Sequence, residues 1–131
     1  NEKYLHFGRF AAKMDDVWNY IPSRISALLM IASAWIFRMD YKRAWAVWKR
    51  DRRKHASPNS GFPESAMAGI LDCRFGGAHV YHGLLVETPY IGDNDREISY
   101  ADFRIAVRVN HRVTLFTVVS IVAVYLCVFI K

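Results

Sequence analysis

Cysteine is scarce in this chain, with Cys73 and Cys127 the two thiols among 131 residues. One lies in a polar stretch and the other in an apolar run, which argues against a disulfide and leaves a zinc site short of ligands. The order G-x-x-x-x-G-K-[ST] does not occur, so any nucleotide site is not of the P-loop kind. There is no internal repeat and no low-complexity tract. Acidic residues are in the minority, 12 against 18 Lys and Arg, for a net charge of +6. The first residues show neither a signal peptide's apolar core nor a transit sequence, and Asn1 is not an initiator. The chain is therefore expected to be part of a longer one.

What the sequence does hold is concentrated apolar residues, 53% hydrophobic and 15% aromatic. Residues 113–130 (VTLFTVVSIVAVYLCVFI) carry no charge. At about 1.5 Å rise per residue they reach roughly 27 Å, close to the hydrocarbon thickness of a bilayer. A lone strand of that length would leave its backbone unpaired in lipid, so the segment reads as a transmembrane helix. A second stretch, 25–37 (ISALLMIASAWIF), is too short to span comfortably and suits a re-entrant, interfacial or helix-packed element. The fold class expected is all-α: a polytopic integral membrane protein fragment with a cytoplasmic polar loop between apolar helices. Residues 1–131 would form a single membrane domain, with loop and short helices over 38–99 and a helix over 100–130 ending in the span. Ser99 to Asp102 fits a capping box at the head of that helix, and Pro63 suits the opening of a short one whose Ala66, Ala68 and Gly69 allow close backbone packing, with Gly76-Gly77 ending that unit.

Between the apolar stretches lies RDRRKHASPNSGFPES, residues 50–65, which combines cations with Pro58, Gly61 and Pro63. That is anion-binding loop chemistry, although a lipid-facing basic patch explains part of it. Arg38, Lys42, Arg43 and Lys49 to Lys54, with Arg104, Arg108 and Arg112, place the loop on the cytoplasmic side by the positive-inside rule. The three late arginines fall at i, i+4 and i+8 and form one stripe for lipid phosphates or a polyanion. Tyr41, Trp45 and Trp48 have the spacing of an interfacial aromatic face.

Several polar groups could carry chemistry. Asp15 and Asp16, three or four residues before Asn19, suit Mg²⁺ together with substrate phosphates, or else cap a helix through the Val17 to Tyr20 turn. Arg24 sits inside an apolar stretch and must face protein, water or ligand. Arg50, Lys54 and His55 could hold phosphate oxygens, while Ser57, Asn59 and Gly61 could bring backbone N–H groups to the same anion. Asp51 and Glu64 are the nearest carboxylates, either bases or partners of neighbouring arginines. His79 and His82 lack a third metal ligand and read as hydrogen-bonded loop residues.

The order DDVWNYIPSRISALLM (15–30), RDRRKHASPNSGFPESAMAGILDCRFGG (50–77) and VYHGLLVETPYIGD (80–93) resembles the integral-membrane adenosylcobinamide-phosphate synthase family of cobalamin biosynthesis, in its C-terminal half. The resemblance implies an ATP-dependent ligase of the cell membrane, multi-pass, that joins adenosylcobyric acid to aminopropanol phosphate or aminopropanol. ATP and Mg²⁺ are the implied cofactors. On that reading Asp15 and Asp16 hold metal; Asn19, Arg24, Arg50, Ser57, Asn59 and Gly61 bind substrate; and Asp51, Lys54, His55 and Glu64 serve catalysis. The corrinoid, the amine and membrane lipid are expected partners, with a homo-oligomer or association with other cobalamin-biosynthesis membrane proteins. A non-catalytic membrane regulator or scaffold of the same fold is the alternative. Nucleic acid is not an expected partner, since topology and lipid account for the basic residues.

Overall fold

The computed structural model describes residues 5–81 and 83–130. Five helices and one hairpin follow in the order α1 (Leu5–Trp18), α2 (Tyr20–Ile36), α3 (Tyr41–Asp51), α4 (Gly61–Leu71), β1 (Phe75–Tyr81), β2 (Leu84–Ile91) and α5 (Tyr100–Phe129). The chain is thus mostly helical, but the all-α expectation is corrected by the antiparallel hairpin. Gly76 and Gly77, expected to end a helical unit, instead open β1 with φ of +86° and +91°. The register shifts between Phe75 and Gly77. Glycine is required here because both φ are positive and a Gly76 Cβ would overlap the Pro89 carbonyl oxygen.

The core sits where α2, α3, α4 and the root of α5 meet. Ala27, Met30 and Ile31 of α2, Ala44 of α3, Phe62, Ala66, Met67 and Ile70 of α4 and Val109 of α5 form one buried cluster. Each large side chain buried there contributes roughly 2 kcal/mol. Helix α4 is buried along most of its length. Small residues let its backbone approach α3: a Cβ on Gly69 would come within 2.5 Å of the Ala44 Cα. Residues 25–36 thus lie in α2, with one face packed in this core and Ile25, Leu28, Trp35 and Ile36 exposed.

Helix ends follow local chemistry. Ser99 accepts from the Asp102 N–H and Asp102 from the Ser99 N–H, the expected capping box of α5. Arg96 grips Asp102 through both terminal guanidinium nitrogens and donates to the Leu71 and Asp72 carbonyls, fastening the end of α4 to the start of α5. That guanidinium, and then Ser99, holds the Asp102 carboxyl well below the usual carboxylate range. Helix α2 ends in a Schellman turn, with Met39 N–H on the Ala34 carbonyl and Arg38 N–H on that of Trp35. Neither Asp15 nor Asp16 caps a helix; both lie in the last turn of α1, and Asn19 joins α1 to α2 with nearly helical dihedrals.

Among the described residues α5 is the one helix long and apolar enough to cross a membrane, and its apolar window is wholly unburied. The aromatic face of α3 is divided. Trp48 packs edge-on against Phe62 while Trp45 stays half exposed, the two indoles 4.9 Å apart.

Candidate functional site

The loop between α3 and α4 is fixed from beneath by Asp51, which is fully buried. Arg50 holds its carboxylate at 2.7 Å through both Nε and a terminal nitrogen, Lys54 Nζ lies 2.8 Å away, and the Gly92 N–H donates at 2.9 Å. Burial alone would raise this carboxyl's pKa, but the bonds from Arg50, Lys54 and Gly92 outweigh it and hold it far below the usual range. With both oxygens engaged, Asp51 anchors the loop. Arg50 also pairs with Asp93 at 2.7 Å. Asp93 and Gly92 were not singled out in the sequence, because their role depends on a hairpin that brings residue 92 beside residue 51.

Asn59 is the second staple. Its amide donates to the Asp16 carbonyl at 2.8 Å, and its carbonyl oxygen accepts from Ser23 and from Arg24 at 3.2 Å. The Arg24 guanidinium lies 3.4 Å from the Tyr20 ring centroid and 4.1 Å from that of Phe62 and donates to the Tyr20 carbonyl. This cation therefore faces protein. Ser57 Oγ accepts the N–H groups of Asn59 and Ser60, so those donors turn inward. Gly61 is needed because a Cβ there would meet the Arg52 carbonyl oxygen at 2.6 Å.

Two cavities flank this loop. One, of about 350 Å³, is lined by Asp15, Asn19, Ser23, Ser57, Asn59 and Ser60. The Asp15 carboxylate accepts from Asn19 at 2.8 Å. Asp16 lines a neighbouring apolar hollow with Tyr20, Ile21 and Pro58. The other polar cavity, of about 370 Å³, is lined by His55, Glu64, Gly76, His79, Thr88 and Ile91. The Ser57 N–H donates to His55 Nδ1 at 2.9 Å, which leaves the ring proton on Nε2, 3.9 Å from Glu64. His79, read from the sequence as a loop residue, joins this cavity from β1; His82 lies outside the described residues.

One carboxylate, Asp15, thus lines the first cavity among hydroxyl and amide oxygens, a donor set that fits Mg²⁺ only when phosphate oxygens and water complete it. No group of three or more His, Cys, Asp or Glu that could hold a metal ion occurs among the described residues. The predicted site residues therefore divide: Asp15, Asn19, Ser57 and Asn59 meet in one cavity, His55 and Glu64 in the other, and Arg50, Asp51 and Lys54 form the ionic floor of the loop between them.

A family model described as CobD/Cbib protein matches residues 1–110. A cobalamin biosynthesis protein CobD of Clostridium perfringens is 52% identical over 102 residues, 78% of this chain and 32% of that protein. Proteins of the same name from Desulfotalea psychrophila and Streptococcus sanguinis are 45% and 42% identical, covering 89% and 95% of this chain and 34% and 40% of their own lengths. The chain thus spans about a third of the length of these relatives. No solved structure matches it.

Proposed function

The chain belongs to the CobD/Cbib protein family, and from that premise we propose that it serves cobalamin biosynthesis as part of an ATP-dependent ligase that joins adenosylcobyric acid to aminopropanol phosphate or aminopropanol. The observation that carries the proposal is the pair of polar cavities on either side of the 52–60 loop, one built around Asp15 and Asn59 and the other around His55 and Glu64.

The chemistry divides along the same line. A carboxylate does not condense with an amine unaided, so an oxygen of the corrinoid's free carboxylate takes a phosphoryl group from ATP with release of ADP, or an adenylyl group with release of pyrophosphate. The amine nitrogen then attacks the carbonyl carbon, phosphate or AMP leaves, and the nitrogen loses a proton. Bound Mg²⁺ would neutralise the charge of the transferring oxygens, with Asp15 as its protein carboxylate. Ser57, Asn19 and Ser60 supply short polar groups beside it. Glu64 is the carboxylate that lines this cavity and is the candidate to accept the amine's proton, because His55 Nδ1 is already occupied by the Ser57 N–H. His55 Nε2, 3.9 Å from Glu64, supplies a neighbouring polar group.

A second reading, a non-catalytic membrane regulator or scaffold, is favoured by one observation: Arg50 and Lys54, cations expected at phosphate, are bound to Asp51. One assay separates the two. The full-length protein in detergent is given ATP, Mg²⁺, adenosylcobyric acid and aminopropanol phosphate, and the product is followed by mass. Amide that forms only with all four present supports the ligase; folded protein that forms none moves the assignment to the regulator.

A further inference from the structure

At the root of α5, Arg112 stacks on Phe37 with its guanidinium carbon 3.5 Å from the ring centroid. The same spot is a cavity of about 260 Å³ lined by Phe37, Met39, Ile105, Arg108 and Arg112. It shares Met39 with a wider hollow formed by Trp35, Arg38 and Tyr41. Arg108 and Arg112 thus line one hollow, and Arg38 lines the hollow that adjoins it at Met39. Among the described residues none of the three is in an ion pair, whereas Arg43, Arg50, Arg74 and Arg96 each hold a carboxylate.

Two further observations indicate what the patch receives. Arg112 is the last charge before the uncharged run 113–130, so a bilayer crossed by α5 has its phosphate layer at the level of Arg108 and Arg112. Trp35 and Phe37 are exposed at that level, as aromatics are in membrane interfaces. Arg38 occupies the left-handed position of the Schellman turn, φ 55°, where glycine is the low-strain residue. Cations in two adjoining hollows, with no acid among the lining residues of either, are complementary to a phosphodiester.

We propose that Arg38, Arg108 and Arg112 form a binding site for the headgroup phosphate of an anionic phospholipid, seated between the α2–α3 turn and the root of α5. Guanidinium forks grip the phosphate oxygens, and Phe37 and Ile105 meet the glycerol and the first methylenes. The proposal rests on α5 crossing the membrane and is independent of the ligase chemistry.

The test is lipid retention by the full-length protein, delipidated in non-ionic detergent, offered phosphatidylglycerol and phosphatidylcholine of matched chains, and examined by native mass spectrometry. The wild type is expected to prefer phosphatidylglycerol. Arg108→Gln with Arg112→Gln should lower that preference about thirty-fold, and Arg108→Gln alone, which removes no cation–π contact, about five-fold. Arg52→Gln with Arg53→Gln should leave it unchanged. Equal retention of the two lipids by wild type, or full preference in the double variant, overturns the site. Protein that alkaline carbonate strips from membranes overturns the span and the site together, whereas firmly inserted protein without headgroup preference overturns the site alone.

Discussion

The backbone N–H of Gly92 donates to the carboxylate of Asp51 at 2.9 Å, joining residues 41 positions apart. Through this bond the exit of the hairpin is tied to the end of α3, and the loop carrying His55, Ser57 and Asn59 is held between them. The geometry of both cavities therefore depends on one buried charge.

Replacing that charge should be costly. Asp51→Asn keeps the shape but turns an amide donor toward Arg50, Lys54 or the Gly92 N–H, each already a donor. Breaking a buried ion pair costs several kcal/mol, and the half-exposed Arg50 and Lys54 regain some water, which sets the expected loss at about 3 kcal/mol. Thermal or urea unfolding of the protein in detergent would measure it; a change under about 0.5 kcal/mol, the scale of an ordinary surface substitution, would mean that the loop does not hang on this residue.

The same carboxylate predicts a pH dependence. An unfolded Asp titrates near about 3.9, and in the fold Asp51 is held lower, so the unfolded chain binds the proton first. Its stabilisation is complete above roughly pH 5 and is lost as pH falls below roughly 4. Asp102 is shifted in the same direction. Melting curves between pH 6 and 3 should therefore show an acid limb in the wild type that Asp51→Asn reduces without abolishing.

Gly92→Ala tests the other partner of the bond. Gly92 has φ +93°, and a Cβ would overlap the Cys73 carbonyl oxygen, a backbone atom that cannot swing aside. The strain of a left-handed alanine and the overlap together should destabilise by about 2 kcal/mol or more. By contrast Gly83, also at positive φ, has nothing near its missing side chain among the described residues, so Gly83→Asn should carry only the left-handed backbone strain, about 1 kcal/mol or less. Unfolding midpoints of the two variants give the comparison directly.

These contacts also show what the sequence could and could not disclose. The α5 cap was legible because Ser99 and Asp102 sit three residues apart and complete each other locally. The close passage of α4 over α3 could be anticipated from Ala66, Ala68 and Gly69, whose small size is a local property. The hairpin was not read, although Val80-Tyr81 and Leu84-Leu85 flank a turn with Gly83; the adjacent glycines at 76 and 77 looked like a stop, when their positive φ admits a bulge. The placement of Asp51 was beyond local reasoning. A carboxylate between arginines has the same spelling whether it is a surface partner, a base or a buried anchor, and the Gly92 N–H that distinguishes these comes from across the fold. Asp15 and Asp16 likewise read as a pair, but successive helical residues point about 100° apart, and only one reaches the polar cavity.

On the proposed ligase reading, that divergence should separate the two carboxylates in function. Asp15→Asn should lower Mg²⁺-dependent amide formation by at least about 100-fold, the scale for losing a group that supports a metal or a developing charge, and should raise the Mg²⁺ concentration needed. Asp16→Asn, facing Tyr20 and Pro58, should stay within several-fold of wild type. Equal losses in both variants would show that the carboxylates act together and that the cavity is not the metal's seat. On the other side of the loop, Glu64→Gln should reduce kcat by about 10² or more with little change in the amine's KM, and His55→Ala, which leaves that carboxylate in place, should cost less.

Arg38→Gly places stability and recognition in opposition. A non-glycine residue in the left-handed region costs about 1 kcal/mol or more, and glycine at the C′ position of a Schellman turn removes that cost. Against the gain stand the greater freedom of glycine in the unfolded chain and the loss of a cation beside the C-terminus of α2, each worth some tenths of a kcal/mol or more. The net expectation is a melting temperature unchanged or slightly raised. If Arg38 is retained for its charge, the same variant should lose about five-fold of its preference for phosphatidylglycerol, as expected for one arginine at a membrane surface. A variant that instead loses stability while keeping its lipid preference would show that the Arg38 side chain holds the turn and contributes nothing to the phosphate.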